Sequence, residues 1–353
     1  MADFVQLHLL TVYGPSNLNR DDTGRPKSAV FGGVPRLRVS SQSLKRAWRE
    51  SDVFVQALGS HMGRRTQRLG QLIVEHLAGR GVSEADALAV ARPIAGVFGK
   101  IKAEDDEDAA FIEQLAFVSP EEVKAALALA DQAIDDKTKD LKPRAEQLLR
   151  KTDTAADIAM FGRMLADAAQ FNREAAVQVA HALTTHRAVA EDDYYTAVDD
   201  LKDKLKAPRE DAGAGFLGVQ EFGAGVFYLY VCIDRGLLER NLGGDREVRD
   251  AALRALCEAA AKVGPRGKQN SFASRASASY VLAERGAQAP RSLVAAFLRP
   301  VGADDQLTES IVRLEKLRDD LDRAYGPAAD ARETLNVSAG TGSLDALTGF
   351  VTA

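Results

Sequence analysis

The feature that most constrains the fold of this chain is a short alternating segment that runs straight into a capped helix. Residues 36–39 alternate polar and apolar side chains, as a half-buried strand does. Ser40 and Ser41 then supply hydroxyl caps for a helix over residues 42–49. A strand that leads into a helix N-terminus offers unpaired backbone N–H groups and the positive end of a helix dipole. The pattern therefore predicts a site that can hold a phosphate.

The same stretch is strongly basic, although the chain as a whole has a formal net charge of −5. Residues 23–49 contain no acidic side chain. A basic segment on an acidic protein indicates an anionic partner that is held at one place. An ordinary solvated helix surface explains the charge equally well. The cations of the segment are Arg25, Lys27, Arg36, Arg38, Lys45, Arg46 and Arg49.

Composition indicates a soluble globular protein of the cytoplasm. A chain of 353 residues can hold one large or two modest domains with ample core. Cys232 and Cys257 lie in apolar surroundings, which is typical of core thiols in a reducing compartment. The N-terminus lacks the basic region of a signal peptide, and no apolar run approaches membrane-spanning length. Because the histidines are scattered, we expect no metal and no cofactor.

Strand and helix patterns alternate along the chain around one long helical segment. The order of these patterns is compatible with a βαββαβ sheet that carries insertions, which is an α+β fold. We expect a turn at 14–17, an irregular segment at 187–222 and a tail rich in glycine and alanine after residue 325. The expected strands are 4–12, 177–186, 226–233 and 277–283, the expected helices are 246–262 and 308–325, and the helical insertion spans about 54–151.

An ordered set of motifs resembles the CasC family of the RAMP superfamily, the backbone subunit of the type I-E CRISPR Cascade complex. No single short motif is specific, but their order along the chain is. The motifs are NRDD at 19–22, KSAVFGG at 27–33, RLRVSSQSLKRA at 36–47, GRM at 162–164, AHALTTH at 180–186, TAVDDL at 196–201, GVQEF at 218–222, GVFY at 225–228 and NLGG at 241–244.

This resemblance implies an α+β fold shaped like a hand. An RRM-like (ferredoxin-like) palm would comprise residues 1–53, 156–186 and 223–353, the last range including C-terminal helices. Helical fingers would occupy 54–155 and a β-hairpin thumb 187–222. The implied function is sequence-independent binding of CRISPR RNA, polymerisation along it as a helical filament, and presentation of the guide to target DNA in antiviral defence. The implied partners are CRISPR RNA, further copies of the chain, other Cascade subunits and target DNA.

The resemblance also implies which residues contact RNA. A subunit that ignores sequence must hold phosphates rather than base edges. Met164, Tyr194, Tyr195, Phe216 and Leu217 lie in loop-like segments, where they would wedge or stack against bases; packing of the loops onto the core is a common alternative. The predicted basic and polar contacts are Asn19, Arg20, Lys27, Arg38, Ser40, Gln42, Lys45, Arg46, Arg49, Gly162, Arg163, Gln220, Lys268 and Gln269.

A second basic group lies in the helical insertion, remote in sequence from the first. Its members are Lys137, Lys139, Lys142 and Arg144, and we expect them to contact target DNA rather than the guide.

Paired acids leave an alternative function open, that of a metal-dependent RNA endonuclease of the same superfamily. The pairs at 21–22, 192–193 and 199–200 could hold Mg²⁺. Against this, adjacent residues of a strand point to opposite faces, and Asp21 can stabilise a turn. No Ser–His–Asp, Cys–His or P-loop pattern is present. A metabolic enzyme with a phosphate ligand is a third interpretation. We expect the chain not to be an enzyme.

Overall fold

A large antiparallel sheet forms the centre of the molecule. The computed structural model describes residues 3–136, 140–197 and 216–353, with side chains described from residue 218 in the last range. The strands of this sheet are β1 (Phe4–Ser16), β2 (Ser28–Phe31), β3 (Val34–Val39), β6 (Val177–Val179), β7 (Ala182–Thr184), β8 (Glu191–Ala197), β9 (Phe216–Asp234), β10 (Ala278–Gly286) and β11 (Ala331–Asn336), and two further strands, β4 (Arg64–Thr66) and β5 (Ala116–Val118), pair with each other elsewhere.

The strand order of the sheet is β11-β10-β1-β9-β7-β3-β2, and β6 and β8 also pair with β9. All of these pairings are antiparallel. The prediction of an α+β chain is therefore confirmed, with an antiparallel sheet at its centre.

Helices cover both faces of the sheet and form a separate layered region between β3 and β6. They are α1 (Ser41–Arg49), α2 (Asp52–Leu58), α3 (Leu69–Ala78), α4 (Glu84–Ala95), α5 (Pro120–Asp135), α6 (Lys142–Glu146), α7 (Ala156–Phe161), α8 (Arg235–Asn241), α9 (Arg246–Lys262), α10 (Gln269–Phe272), α11 (Gln306–Tyr325) and α12 (Leu344–Thr352). In the part of the chain that the structure describes, none of these helices is long and apolar enough to cross a membrane.

The sheet is buried on both faces at its central strands, β1 and β9. Successive side chains of a strand point to opposite faces. Leu7 and Leu9 of β1 pack with Leu253 in a core under α2, α9 and α12, whereas Leu10 packs on the other face with Phe297 near α11. The second face of β1 also carries buried Gln6 and His8, whose side chains hydrogen-bond with the hydroxyls of Tyr230 and Tyr228 of β9.

The helical region has its own hydrophobic core. Leu69, Ile73 and Leu77 of α3 pack with residues of α4 and α5 in a cluster distinct from those on the sheet. α5 begins at a capping box in which Ser119 and Glu122 each bond to the other's backbone N–H. Buried ion pairs hold the end of this region, with Arg163 2.6 Å from Glu122 and Arg173 2.6 Å from Asp153.

Several sequence-based boundaries needed correction. The expected turn at 14–17 lies largely within β1, where the pairing with β9 shifts between Tyr13 and Ser16. The expected strand at 177–186 is broken into β6 and β7, because Ala180 and His181 interrupt the pairing with β9. The segment 187–222, expected to be irregular, contains the paired strand β8 and the start of β9. β4, β5, β11 and α12 were not predicted.

Candidate nucleic-acid interface

The junction of β3 and α1 forms as the sequence predicts. The Ser40 hydroxyl accepts a hydrogen bond from the backbone N–H of Ser43 and so caps the helix. The backbone N–H of Ser40 in turn donates to Oδ1 of Asn19 at 2.8 Å, and the N–H of Lys27 donates to the carbonyl of Asn19. Gln42 is exposed in a first turn that contains no acid. The helix start therefore presents positive potential to solvent, and Asn19 positions it.

The cations of the basic stretch, together with Arg20 just before it, differ in whether the fold already gives them a partner. Arg20, Lys27 and Lys45 form no ion pair with any described residue. Lys45 lies with Nζ 5.5 Å from the centre of the Phe161 ring, and burial lowers the pKa of its ammonium. A cation that has lost water and has no carboxylate partner favours an anion from outside.

The remaining cations of the stretch already have partners. Arg46 pairs with Glu50 at 2.8 Å on the exposed side of α1, and Arg25 pairs with Glu221 at 2.5 Å. Buried Arg36 donates to the backbone carbonyls of Phe31, Thr184 and Phe297, so it ties β2, β7 and the 294–297 turn together. Charge alone therefore does not identify the residues that are available to a ligand.

Arg38 lies beside His181. Its guanidinium is 2.6 Å from Nδ1 of the imidazole. Burial, and then the charge of Arg38, lower the pKa of His181, so the ring stays neutral and can accept this hydrogen bond at neutral pH. Arg38 is thereby oriented while remaining half-buried at the surface.

Arg49 links α1 to α7 and to β5. Its guanidinium is 2.9 Å from the buried carboxylate of Asp157 on α7 and lies 4.4 Å from the centre of the Phe117 ring. Burial raises the pKa of Asp157, and the charge of Arg49 opposes that rise. The second oxygen of Asp157 accepts from the backbone N–H of Gly63 at 2.7 Å. The charge of Arg49 is therefore already partnered within the fold.

An open cleft of about 1080 Å³ lies beside α1. α1 bounds it with Gln42 and Lys45, and the paired strands β4 and β5 bound it with Arg65, Phe117 and neighbouring residues. The turn that follows α7 completes the cleft with Phe161, Gly162, Arg163 and Met164. Residues that are far apart in the sequence thus line one site, and several of the predicted RNA contacts are among them.

The turn after α7 presents Met164 and buries Arg163. Gly162 has φ of +80°, and a Cβ there would come 3.0 Å from the Arg173 carbonyl, so the turn requires glycine. The Arg163 guanidinium is buried and donates to Glu122 and to the Arg150 carbonyl. We therefore assign Arg163 to holding the turn, which corrects the expectation that its side chain contacts RNA. Met164 is 80% exposed.

The β8–β9 hairpin carries the two predicted tyrosines. Tyr194 pairs with Val219 and Tyr195 with Gly218, so the two rings lie on opposite faces of the hairpin. Tyr194 is 69% exposed. Phe216 and Leu217 are paired in β9, but their side chains lie outside the described part of the structure. Lys137, Lys139, Asp199 and Asp200 also lie outside the described residues.

A loop before β10 joins two further predicted contacts. Nζ of Lys268 donates to Oε1 of Gln220 at 3.4 Å. The Gln269 side-chain amide instead donates to the carbonyls of Pro265 and Ser274 and so holds the loop. A Cβ on Gly267 would come 2.4 Å from the Leu18 carbonyl, so this loop packs closely against the end of β1. Lys268 and Gln220 therefore lie together, near the Asn19 segment.

The two described residues of the second basic group are exposed and lie apart from the cleft. Lys142 and Arg144 lie on α6 and form no ion pair with a described residue. Neither side chain lines the cleft beside α1.

The structure describes two of the three acidic pairs, those at 21–22 and 192–193. Asp21 Oδ1 accepts from the backbone N–H groups of Thr23 and Arg25 and from the Thr23 hydroxyl. The Thr23 hydrogen bond is the main cause that lowers the pKa of Asp21. Asp192 and Asp193 are adjacent on β8 and point to opposite faces. Among the described residues, no three His, Cys, Asp or Glu side chains are grouped closely enough to hold a metal ion.

Sequence reasoning missed Arg65, Phe117 and Asp157 as parts of this site. Arg65 belongs to a pair of adjacent basic residues, Arg64–Arg65, and such a pair in the sequence could have indicated a phosphate contact. The contact of Asp157 with Arg49 spans 108 positions and has no local signature.

The chain is similar to known proteins over nearly its whole length. The model of the family described as "CT1975-like protein" matches residues 5–348. A chain from the solved structure titled "CRISPR RNA-guided surveillance complex, pre-nicking" is 29% identical, with a TM-score of 0.86 over 99% of this chain and 100% of that one. A chain from "CRISPR RNA-guided surveillance complex" is 25% identical, with a TM-score of 0.75 and 99% of each chain covered. No curated protein matches the chain.

Proposed function

Since the chain belongs to the CT1975-like protein family, we propose that it is a non-enzymatic, RNA-binding backbone subunit of a type I-E Cascade surveillance complex in the cytoplasm. The family match confirms the resemblance found in the sequence. The observation that carries the proposal is the similarity to a surveillance-complex chain over 99% of this chain and 100% of that one, which leaves no large part of either molecule unmatched.

We assign a hand-like organisation to the elements. The strand order β10-β1-β9-β6, with α2 and α9 on one face, supports an RRM-like palm of the βαββαβ type. The separate core of the helical region supports its assignment as fingers, and the projecting β8–β9 pairing supports a thumb.

We place the guide RNA at α1 and not on the palm sheet. RRM domains stack bases on aromatic residues of an open sheet face. Here the corresponding aromatic residues, Tyr228 and Tyr280, are buried, and the Tyr228 ring lies 5.2 Å from Phe297. α11 packs over this face. RNA is therefore assigned to the β3–α1 junction and the adjoining cleft.

The chemistry of the cleft favours binding without sequence specificity. Lys45 and the start of α1 suit phosphate oxygens, which carry no base code. Exposed Met164 suits insertion between bases, and Tyr194 suits stacking on them. Because each copy would contact a similar stretch of backbone, copies can polymerise along a guide of any sequence.

Target DNA is assigned to the fingers. Lys142 and Arg144 are exposed and without ion-pair partners among the described residues, so they can contact a phosphate backbone that pairs with the guide. The other partners we propose are further copies of the chain and the remaining Cascade subunits.

The experiment begins with the ratio of absorbance at 260 and 280 nm of the purified full chain, measured with its size. We expect copurified nucleic acid and an oligomer. After removal of nucleic acid in high salt, two labelled RNAs of equal length and scrambled sequence should bind with affinities within about a factor of two, because phosphate contacts dominate. A monomer without nucleic acid that does not bind either RNA would refute the proposal.

The same preparation tests the endonuclease alternative. With labelled RNA and Mg²⁺ we expect no cleavage, since Asp21 is engaged in its own turn. Specific cuts that are lost in Asp21→Ala would instead favour a nuclease.

A further inference from the structure

We propose that Arg65, on strand β4 of the β4–β5 strand pair, binds a phosphate of single-stranded RNA in the cleft beside α1. This inference rests on the proposed function and adds a second element, outside the palm, to the RNA-binding surface. The residue belongs to none of the sequence motifs that indicated RNA binding.

The register of the β4–β5 pairing directs Arg65 into the cleft. Arg65 pairs with Phe117 across β4 and β5, and directly paired residues lie on the same face. Phe117 lines the cleft, and the Arg49 guanidinium lies over its ring. Arg64 pairs with Val118, which is fully buried in the core of the helical region. Arg64 and Arg65 are adjacent in β4 and therefore lie on opposite faces of the strand. Of the two, only Arg65 lines the cleft.

Charge in the cleft favours an anion near Arg65. Arg46, Arg49 and Arg163 also line the cleft, but each is already paired with a carboxylate. The one carboxylate in the lining is Glu50, the partner of Arg46. Arg65 and Lys45 form no ion pair with any described residue. The excess positive charge of the cleft therefore comes from these two side chains, Lys45 on α1 and Arg65 on β4.

The apolar lining identifies the class of ligand. Met164 and Leu115 line the same cleft and are 80% and 53% exposed. A cleft with two unpaired cations and two exposed apolar side chains suits a chain of phosphates that also carries bases. A free phosphate would leave the apolar side chains in water. The occupant is therefore single-stranded RNA.

The test compares Arg65→Glu with Arg64→Glu in the full-length protein after removal of nucleic acid. Both changes alter net charge by the same amount on the same exposed strand, so long-range electrostatics are matched. Binding of a fluorescein-labelled RNA of mixed sequence is measured by anisotropy at several KCl concentrations. We expect Arg65→Glu to weaken binding at least about tenfold more than Arg64→Glu, as loss of one charge-assisted contact would. The salt slope should fall by about 0.7, the value for one contact to a single strand.

The outcomes separate this inference from the proposed function. If the wild-type protein does not bind RNA, the proposed function fails. If it binds, and Lys45→Ala weakens binding while the two arginine variants behave alike, the function stands and the assignment of Arg65 is wrong. Arg65→Ala serves as a second variant should the charge reversal prevent folding, which the thermal melting curve of each protein reports. Competition by inorganic phosphate at equal ionic strength should not displace the RNA; displacement would mean that the cleft binds free phosphate instead.

Discussion

The guanidinium of Arg49 lies 2.9 Å from the carboxylate of Asp157, and this contact joins α1 to α7, two helices that pack in the same core on the sheet. Asp157 has no exposed side-chain surface, and it also accepts from the backbone N–H groups of Gly63 and Ile158. A residue of the basic stretch that the sequence predicts as an RNA contact is thus engaged inside the fold. The shape of the cleft depends on this contact, because α1, Gly63 before β4, and α7 all meet there.

We predict that Asp157→Ala lowers the free energy of unfolding by about 3 kcal/mol, because it leaves the Arg49 charge without its partner in a largely buried position. Urea unfolding followed by circular dichroism measures this change. Glu50→Ala is the matched control, since it breaks the exposed Arg46–Glu50 pair of the same helix, and should cost less than about 0.5 kcal/mol. Equal effects of the two variants would show that Arg49 and Asp157 do not hold the fold together.

We predict that Lys45→Ala weakens binding of guide-length RNA and lowers the salt slope of the association constant by about 0.7, the value for one phosphate contact to a single strand. The ammonium of Lys45 is partly desolvated over Phe161 and has no carboxylate partner among the described residues, so it gains most from an anion. Fluorescence anisotropy across KCl concentrations measures both quantities. Lys124→Ala, an exposed lysine of α5 that does not line the cleft, should leave the slope unchanged. A slope unaltered by Lys45→Ala would remove Lys45 from the phosphate contacts.

Elements with strong local signals were predicted well from the sequence. The cap of α1 at Ser40 and the bounds of α9 agree with the structure, because a hydroxyl cap and a 3.6-residue apolar period are properties of a single segment. The three-residue strands β4 and β5 are too short to show a period, and their pairing joins segments about 50 positions apart.

The sequence predicted where the candidate site lies, but it did not predict which of the side chains there are free to bind a ligand. The basic stretch and the motif positions identify α1 and Met164, but they do not distinguish cations that are free from cations that have partners. Arg49 finds Asp157 and Arg163 finds Glu122 through contacts between distant segments. Such long-range pairing depends on how the elements pack, and no local pattern of residue types reports it.

We predict that Asp153→Asn makes the stability of the protein less dependent on acid. Burial opposes ionisation of Asp153, but two hydrogen bonds from Arg173 overcome it, and the pKa of the carboxyl is lowered. With the folded pKa below the unfolded value of about 3.9, the unfolded chain binds the proton more tightly. The stabilisation is therefore fully present above about pH 4 and is lost as the pH falls through the folded pKa.

Urea unfolding at pH 7, 5, 4 and 3 tests this prediction. Asp153→Asn should be less stable than the wild type at pH 7, and the difference should shrink as the pH falls. Asp320→Asn, which removes an exposed partner of Lys316, is the control and should change the pH dependence less. A difference between Asp153→Asn and wild type that stays constant from pH 7 to pH 3 would contradict the assigned pKa direction.

We predict that Met164→Ala changes the geometry of bound RNA without changing the stability of the free protein. Met164 is 80% exposed, so its removal should alter the free energy of unfolding by less than about 0.5 kcal/mol. In the assembled complex an apolar wedge must offset an unstacking cost of a few kcal/mol, and alanine is too short to do so. Chemical probing of the guide should therefore show a weakened periodic pattern of reactive nucleotides. Met160→Ala is the matched control, because Met160 lies four residues earlier, in α7, and is completely buried. It should cost about 2 kcal/mol or more in stability, as buried methionine truncations do. If Met164→Ala lowers stability as Met160→Ala does and leaves the reactivity pattern intact, Met164 packs the fold and does not contact RNA.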